Sequence, residues 1–173
     1  MKVLIFFLLF CVSDGYAAIQ KLPLPRFASL RSGKVNMHVG PGRDFPVEWT
    51  FQRQGLPVEI IAEFDTWRQI RDMEGATGWV HKSLLTGKRT AVIFPPEKHK
   101  KADELAKEKP VIEKDAIRRS AAVDAPVVAY VQKGVVTKLK QCKGDWCRVD
   151  VKGYDGWIQK TGIWGVYQYE EKF

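Results

Sequence analysis

Cysteine and histidine are scarce in this chain, which has three of each among its 173 residues. Structural zinc sites usually need paired clusters of these ligands, and the sequence has only one close pair of cysteines. The glycine-rich phosphate-binding motif that ends in Lys-Ser/Thr and the helical zinc-protease motif are both missing. The sequence therefore predicts no metal site, no cofactor and no catalytic residues, and we expect a protein that is not an enzyme.

Long apolar runs are missing too, except for "VLIFFLLFCV" at residues 3–12. This run follows Lys2 and precedes small residues at the −3 and −1 positions of a cleavage site after Ala17. The pattern is typical of a secretory signal peptide at residues 1–17 and is too short for a normal membrane span. A lipidated Cys11 is the competing hypothesis, but the bulky Phe10 stands where a small residue is expected. We predict an exported, periplasmic or secreted protein with no transmembrane segment in its mature chain.

Positive charge exceeds negative charge, with 28 Lys and Arg residues against 20 Asp and Glu residues and a formal net charge of +8. Loss of the signal would remove Lys2 and Asp14, one charge of each sign, so the excess stays the same. A basic surface favours anionic partners, which outside the cytoplasm are envelope polymers or lipid headgroups more than nucleic acid. Solubility alone explains the charge equally well.

The chain contains an internal repeat. Gly55 and Gly134 are 79 residues apart, and so are Trp67 and Trp146. A Gly-Trp pair repeats with an offset of 78 and a Pro-Val pair with an offset of 80. Within each unit, stretches such as "LPVEIIAE" alternate apolar and polar residues between glycine-rich turns. Short strands at this spacing indicate a small barrel or sandwich in each unit.

Short motifs recur in the same order in both units. The first unit has Asn36-Met37-His38, Gly40-Pro41-Gly42, Phe45-Pro46-Val47, Gly55, Trp67 and Gly78-Trp79-Val80. The second has Ile117-Arg118, Pro126-Val127, Gly134, Trp146 and Gly156-Trp157-Ile158. In this order the motifs resemble those of the bacterial SH3 domain family, whose members are small β-barrels. The resemblance implies an all-β fold of two small SH3-like β-barrels in tandem.

The domain boundaries follow from the repeat and from a charged stretch between the units. Residues 97–109 contain five Lys and four acidic residues with almost nothing apolar, which is typical of a solvated linker. We therefore assign residues 27–93 to the first SH3-like domain, 94–109 to the linker and 110–173 to the second domain.

The two cysteines that remain after signal cleavage, Cys142 and Cys147, flank the turn "KGDW". A close pair in an oxidising compartment favours a disulfide across the hairpin. If alternation in the first strand puts Leu139 and Gln141 inward, Cys142 faces outward, whereas Cys147 in the next strand faces inward. A β-bulge beside the turn would reconcile the two. A catalytic pair of Cys147 with His81 is disfavoured because the two lie in different units. A zinc site made of both cysteines with a histidine is disfavoured by the ligand spacing.

Seven residues are candidates for ligand binding, because they match the family motifs or are aromatic residues in predicted loops and strand starts: Asn36, His38, Phe45, Trp67, Arg118, Trp146 and Tyr154. The alternative for the aromatic ones is core packing, since a thin barrel core needs large side chains. The units depart from the family differently, because His38 stands where the family usually has Arg and Ala116 stands where it has Asn.

The family resemblance implies a function as well as a fold. Many of its members are non-catalytic modules linked to cell-wall recognition. We therefore expect an exported binding module that recognises peptidoglycan, through its glycan or its peptide stems, or another anionic component of the cell envelope. The alternative hypothesis is a scaffold in the envelope or outside the cell that binds another protein.

Overall fold

The computed structural model describes residues 22–93 and 114–173. These residues form two seven-stranded sheets in which every pairing is antiparallel, with one short 3-10 helix after the sixth strand of each. Within the described ranges no helix is long and apolar enough to span a membrane. The predicted signal peptide lies outside these residues.

The first sheet contains strands β1 to β7: β1 (Arg26–Leu30), β2 (Val35–His38), β3 (Val47–Phe51), β4 (Pro57–Phe64), β5 (Trp67–Arg71), β6 (Thr77–His81) and β7 (Leu85–Thr86). The second contains β8 (Thr90–Ile93), β9 (Lys114–Arg118), β10 (Val127–Gln132), β11 (Val136–Lys143), β12 (Trp146–Val151), β13 (Tyr154–Gln159) and β14 (Ile163–Trp164). The spatial order is β3-β2-β6-β5-β4-β1-β7 in the first and β10-β9-β13-β12-β11-β8-β14 in the second. The two orders are the same once seven is added to each number, so the sequence repeat is a repeat of the whole barrel topology.

The strand β8 corrects the predicted domain boundary. It pairs with β11 and β14 and is therefore the first strand of the second barrel in the sequence, as β1 is of the first. The backbone confirms the equivalence, because Gly55 N–H donates to Leu30 O at 2.9 Å and Gly134 N–H donates to Ile93 O at 2.7 Å. The charged stretch is thus an insertion between the first two strands of the second barrel. Only residues 87–89 join the barrels. The predicted boundary was placed at residue 94 because the charged composition begins there.

Each barrel has its own apolar core. In the first, the fully buried residues come from the inward positions of successive strands: Leu30, Val35, Met37, Val58, Ile70 and Val80. In the second they are Ala91, Ile93, Ile117, Cys147, Val149 and Ile158. The alternation along each strand puts these side chains on one face, and their burial is the main driving force for the fold.

A β-bulge brings the two cysteines together. The register of β11 against β12 shifts between Leu139 and Gln141, so the inward phase passes from Leu139 to Cys142 and leaves Gln141 exposed. Cys142 then lies directly opposite Cys147, with their Cα atoms 4.0 Å apart and a disulfide between them. The predicted disulfide and the bulge are confirmed, whereas the inward placement of Gln141 was wrong because alternation breaks at a bulge.

The barrels also contact each other beside their short junction. Thr90 Oγ1 donates to Gly55 O at 2.6 Å and lies 2.6 Å from Ser29 Oγ. Arg53 Nη1 donates to Gly134 O at 2.9 Å. Gly165 has a φ of +118°, and a Cβ there would lie 2.7 Å from Thr90 O, so this position needs glycine.

Aromatic residues near the C-terminus extend this contact. The Phe27 ring packs edge-on against Trp164, with centroids 5.0 Å apart, and against Tyr167 at 4.7 Å. Tyr167 OH donates to Glu59 Oε1 at 2.7 Å, and Arg89 pairs with Glu170. The second barrel is therefore fixed to the first by side chains of both.

Candidate functional site

A groove occurs at the same place on each barrel. The first, here called the Trp67 groove, has a volume of about 490 Å³ and is lined by Lys34, Asn36, His38, Arg43, Trp67, His81, Ser83 and Leu84. The second, here called the Trp146 groove, has a volume of about 370 Å³ and is lined by Asp115, Ala116, Arg118, Val123, Lys133, Trp146, Ile158, Gln159, Thr161 and Gly162. Most lining positions correspond through the repeat, so one site architecture occurs twice with different side chains.

The glycine of the Gly-Trp motif allows the strands behind each groove to approach closely. A Cβ on Gly78 would lie 3.0 Å from His38 O and 2.5 Å from the Met37 side chain. A Cβ on Gly156 would lie 2.5 Å from Arg118 O. No side chain fits at these distances, so the motif places β2 against β6 and β9 against β13. This crossing brings the ends of the strands together at the groove.

Trp67 forms the floor of the first groove. Its side chain is 8% exposed and lies between the imidazoles of His38 and His81, both edge-on, at centroid distances of 5.3 and 5.7 Å. The ring is thus packed on both sides and offers little free face for a stacked ligand. Trp146 occupies the equivalent position in the second groove and is partly buried.

Hydrogen bonds fix opposite tautomers on the two histidines. His38 Nδ1 lies 2.7 Å from Phe45 O, and because a carbonyl oxygen only accepts, this nitrogen carries the proton. His81 Nδ1 accepts from Ser83 N–H at 3.3 Å and lies 2.7 Å from Ser83 Oγ, so in the neutral ring the proton is on Nε2. The groove therefore offers an acceptor at His38 Nε2 and a donor at His81 Nε2.

His38 and Arg118 each form a hydrogen bond to an equivalent backbone carbonyl in their own barrel. Arg118 Nη1 donates to Ala125 O at 2.8 Å, and Ala125 is the repeat equivalent of Phe45. Each side chain holds the carbonyl at the end of the loop between the second and third strands of its barrel. This shared contact explains why a histidine can stand where the family usually has an arginine.

The charges of the two grooves differ. The Trp67 groove is lined by Lys34 and Arg43, and no carboxylate of residues 22–93 or 114–173 lines it. The Trp146 groove has Arg118 and an ion pair in which Lys133 Nζ lies 2.7 Å from Asp115 Oδ2. Arg118 is left over from that ion pair, so both grooves keep an excess of positive charge and suit an anionic ligand, the first more strongly.

The grooves contain five of the seven candidates predicted from the sequence: Asn36, His38, Trp67, Arg118 and Trp146. Phe45 contributes its carbonyl oxygen, while its half-exposed ring covers Gly40 beside the groove. Tyr154 lies elsewhere, in a groove along β10 with Tyr130.

Sequence reasoning missed several groove residues, including Arg43, His81 and Ser83. Gln159 and Thr161, the repeat equivalents of His81 and Ser83, line the Trp146 groove. The two positions are therefore groove positions in both barrels. It also missed Trp49, which is 58% exposed on β3. No group of His, Cys, Asp and Glu in the described parts of the chain could hold a metal ion.

Comparison with known proteins agrees with the repeat. The family model described as "Bacterial SH3 domain" matches residues 31–87 and again 113–165. A candidate N-acetylmuramoyl-L-alanine amidase, YrvJ of Bacillus subtilis (strain 168), is 25% identical over 126 residues. That alignment covers 72% of this chain and 24% of YrvJ, so the chain spans about a quarter of its relative.

Matches among solved structures include two proteins of Trichomonas vaginalis. NlpC2 is 11% identical with a TM-score of 0.35, and the match covers 83% of this chain and 49% of that one. NlpC1 is 12% identical with a TM-score of 0.34, covering 83% and 47%.

Proposed function

Because this chain belongs to the bacterial SH3 domain family, which it matches in both halves, we propose that it is an exported, non-catalytic module that binds peptidoglycan or another anionic component of the cell envelope. The observation that carries the proposal is the pair of grooves at equivalent places on the two barrels. The name of the Bacillus subtilis relative refers to N-acetylmuramoyl-L-alanine, which gives the proposal a cell-wall context.

The chemistry of the Trp67 groove supports an anionic ligand. Lys34 and Arg43 supply positive charge at the rim, and His81 Nε2–H and the Asn36 side chain supply polar contacts. Charge-assisted hydrogen bonds from such groups suit carboxylates like those of peptidoglycan stem peptides. The overall charge of +8 adds a longer-range attraction to an anionic polymer.

The fixed arrangement of the barrels supports joint binding by the two grooves. With only residues 87–89 between β7 and β8 and direct side-chain contacts across the junction, the second groove stays at a set distance from the first. On a polymer with repeated ligands, binding of one groove raises the effective concentration for the other. Two weak sites then give retention that neither gives alone.

The experiment is sedimentation of the protein with purified cell-wall sacculi over a salt series. Trp67 is a poor probe because it is buried, and its replacement by Ala would cost about 3–5 kcal/mol of stability. The repeat offers better variants, since Asn36→Ala, Arg43→Val and His81→Gln each introduce the residue that the second barrel has at that position. We expect the triple variant to stay folded and to lose at least about tenfold in retention, the loss of roughly one charge-assisted contact.

Lys88→Ala is the matched control, because it removes an exposed positive charge outside both grooves. If it reduced retention as much as the triple variant, a diffuse charge effect would replace the groove. If the wild-type protein failed to sediment even at low salt, the wall-binding proposal would be wrong.

A further inference from the structure

The strand β3 is an edge strand with a β-bulge at Glu48, because its pairing with β2 shifts register between Met37 and His38. It lies at one end of the first sheet and, in the described residues, pairs only with β2. Its sequence "VEWTF" has no lysine or proline, the residues that usually block such edges. Val47 and Trp49 are 47% and 58% exposed. An exposed apolar edge promotes strand pairing with other chains, so its presence calls for a partner.

A groove of about 670 Å³ runs along this edge. Residues 47–52 line one wall without a gap, and residues 56–57 and 72–74 line the other. Alternation breaks at the bulge, so Val47, Glu48 and Trp49 are all exposed. The groove continues along the strand beyond the bulge, because residues 50–52 line it as well.

The groove is acidic, although the protein as a whole is basic. Glu48, Asp72 and Glu74 are among its lining residues, and among the described residues neither a lysine nor an arginine lines it. The Asp72 carboxylate is held in place because its Oδ1 accepts from Glu74 N–H at 2.9 Å and Ala76 N–H at 2.8 Å. Trp49 lines the same groove next to Glu48 in the chain, and an indole face with a carboxylate in the same groove favours a cation.

The second barrel supplies a natural comparison. Its edge strand β10 also lines a groove, with consecutive residues 128–132 and the exposed Tyr130 and Tyr154. The lining there includes Lys152 and, within the described parts of the chain, no carboxylate. The edge is thus common to both barrels, whereas the acidic character is confined to the first.

We propose that the free edge of β3 binds an extended peptide segment that carries a basic residue. The segment adds to the sheet as a further strand, and its basic side chain lies over Trp49 beside Glu48. Backbone hydrogen bonds supply affinity in this mode, and the side-chain pocket supplies selectivity. The partner is a protein, because alternating residues of one handedness are needed to pair along the strand.

This site is separate from the one proposed for the cell wall. The Trp67 and Trp146 grooves share no lining residue with the β3 groove. The protein can therefore hold a wall polymer and a peptide at the same time, and the failure of one proposal leaves the other standing.

The test is NMR with the 15N-labelled protein and the synthetic peptide acetyl-Thr-Lys-Val-Lys-Thr-amide. We expect slower hydrogen exchange at β3 amides and chemical-shift changes centred on Trp49. Trp49→Ala and Glu48→Lys, both at exposed positions, should each weaken binding at least about tenfold, as loss of a central aromatic or charge contact does. Tyr130→Ala, on the equivalent edge of the second barrel, is the matched control and should have no effect.

Two further peptides make the result decisive. A peptide with Glu in place of Lys tests the charge, and one methylated at alternate backbone nitrogens tests strand pairing. Neither should protect β3. The proposal is overturned if the basic peptide causes no change at millimolar concentration, if either control peptide binds as well, or if the changes centre on β10.

Discussion

The hairpin between β4 and β5 is held by charge where its repeat is held by a covalent bond. Glu63 and Arg68 lie directly opposite each other, with Arg68 Nε 2.9 Å from Glu63 Oε1, at the position of Cys142 and Cys147 in the second barrel. Arg26 pairs with the same carboxylate. The ion pair and the disulfide both connect the two strands of a hairpin next to a β-bulge. Because the first barrel has an ion pair where the second has the Cys142–Cys147 disulfide, we infer that the disulfide has a structural role and no redox function.

The disulfide should contribute more stability than the ion pair. Cross-linking cysteines only five residues apart stabilises by about 2 kcal/mol in the chain-entropy model. Partly exposed ion pairs usually contribute about 1 kcal/mol or less. We expect Cys142→Ala/Cys147→Ala to lower the free energy of unfolding in urea by about 2 kcal/mol and Glu63→Ala/Arg68→Ala by less than half as much. Equal losses would contradict this ranking.

At the scale of elements, the loops at residues 39–46 and 119–126 each accept a hydrogen bond from one side chain. His38 donates to Phe45 O and Arg118 donates to Ala125 O, and each of these bonds adds to backbone hydrogen bonds within its loop. The donor is what matters here, and imidazole and guanidinium both supply one.

Exchange of the two donors should therefore be tolerated. We expect His38→Arg to keep the stability and amide protection of the loop, because the second barrel already uses arginine at this place. His38→Ala should cost about 1 kcal/mol and speed hydrogen exchange at residues 39–46, because the hydrogen bond is lost. Hydrogen exchange measured by mass spectrometry checks both variants. Similar loop exchange in the two variants would mean that the contact does not hold the loop.

Elements were predicted well from the sequence where a local pattern determines them. Period-two alternation predicted which side chains of the strands face inward. The repeat of Gly, Trp and Gly-Trp predicted two barrels. The bulge in β11 reversed the inward phase after Leu139, which alternation alone cannot place. Trp67 is buried between two imidazoles because β2, β5 and β6 converge there, and no pattern within a single strand contains that information.

For the whole molecule, the short junction and the interface make the barrels one unit. The sequence did not reveal this, because a charged insertion inside the second barrel has the composition of a linker. Glu59 is buried at the interface, where Arg71 Nε donates to it at 2.8 Å and Tyr167 OH donates at 2.7 Å. Burial, and then the bond to Glu59, raise the pKa of Tyr167 above its ordinary value of 10.0.

The raised pKa makes interface stability sensitive to alkaline pH. A raised pKa in the folded state means that the stabilisation by Tyr167 is complete below pH 10 and is lost as pH rises beyond it. We expect the wild-type protein to melt at a higher temperature than Tyr167→Phe at pH 8, with a gap that narrows steadily above pH 10. Thermal unfolding at several pH values measures the gap. A gap that stays constant to pH 11 would contradict the role of Tyr167.

The central claim is that two repeat-related grooves bind one kind of wall ligand. The most direct measurement is NMR titration of the 15N-labelled protein with soluble muropeptides released from sacculi. We expect chemical-shift changes around the Trp67 groove at residues such as Asn36 and His81, and around the Trp146 groove at residues such as Gln159 and Thr161. Changes that occur only outside both grooves, or no changes at millimolar muropeptide, would contradict it.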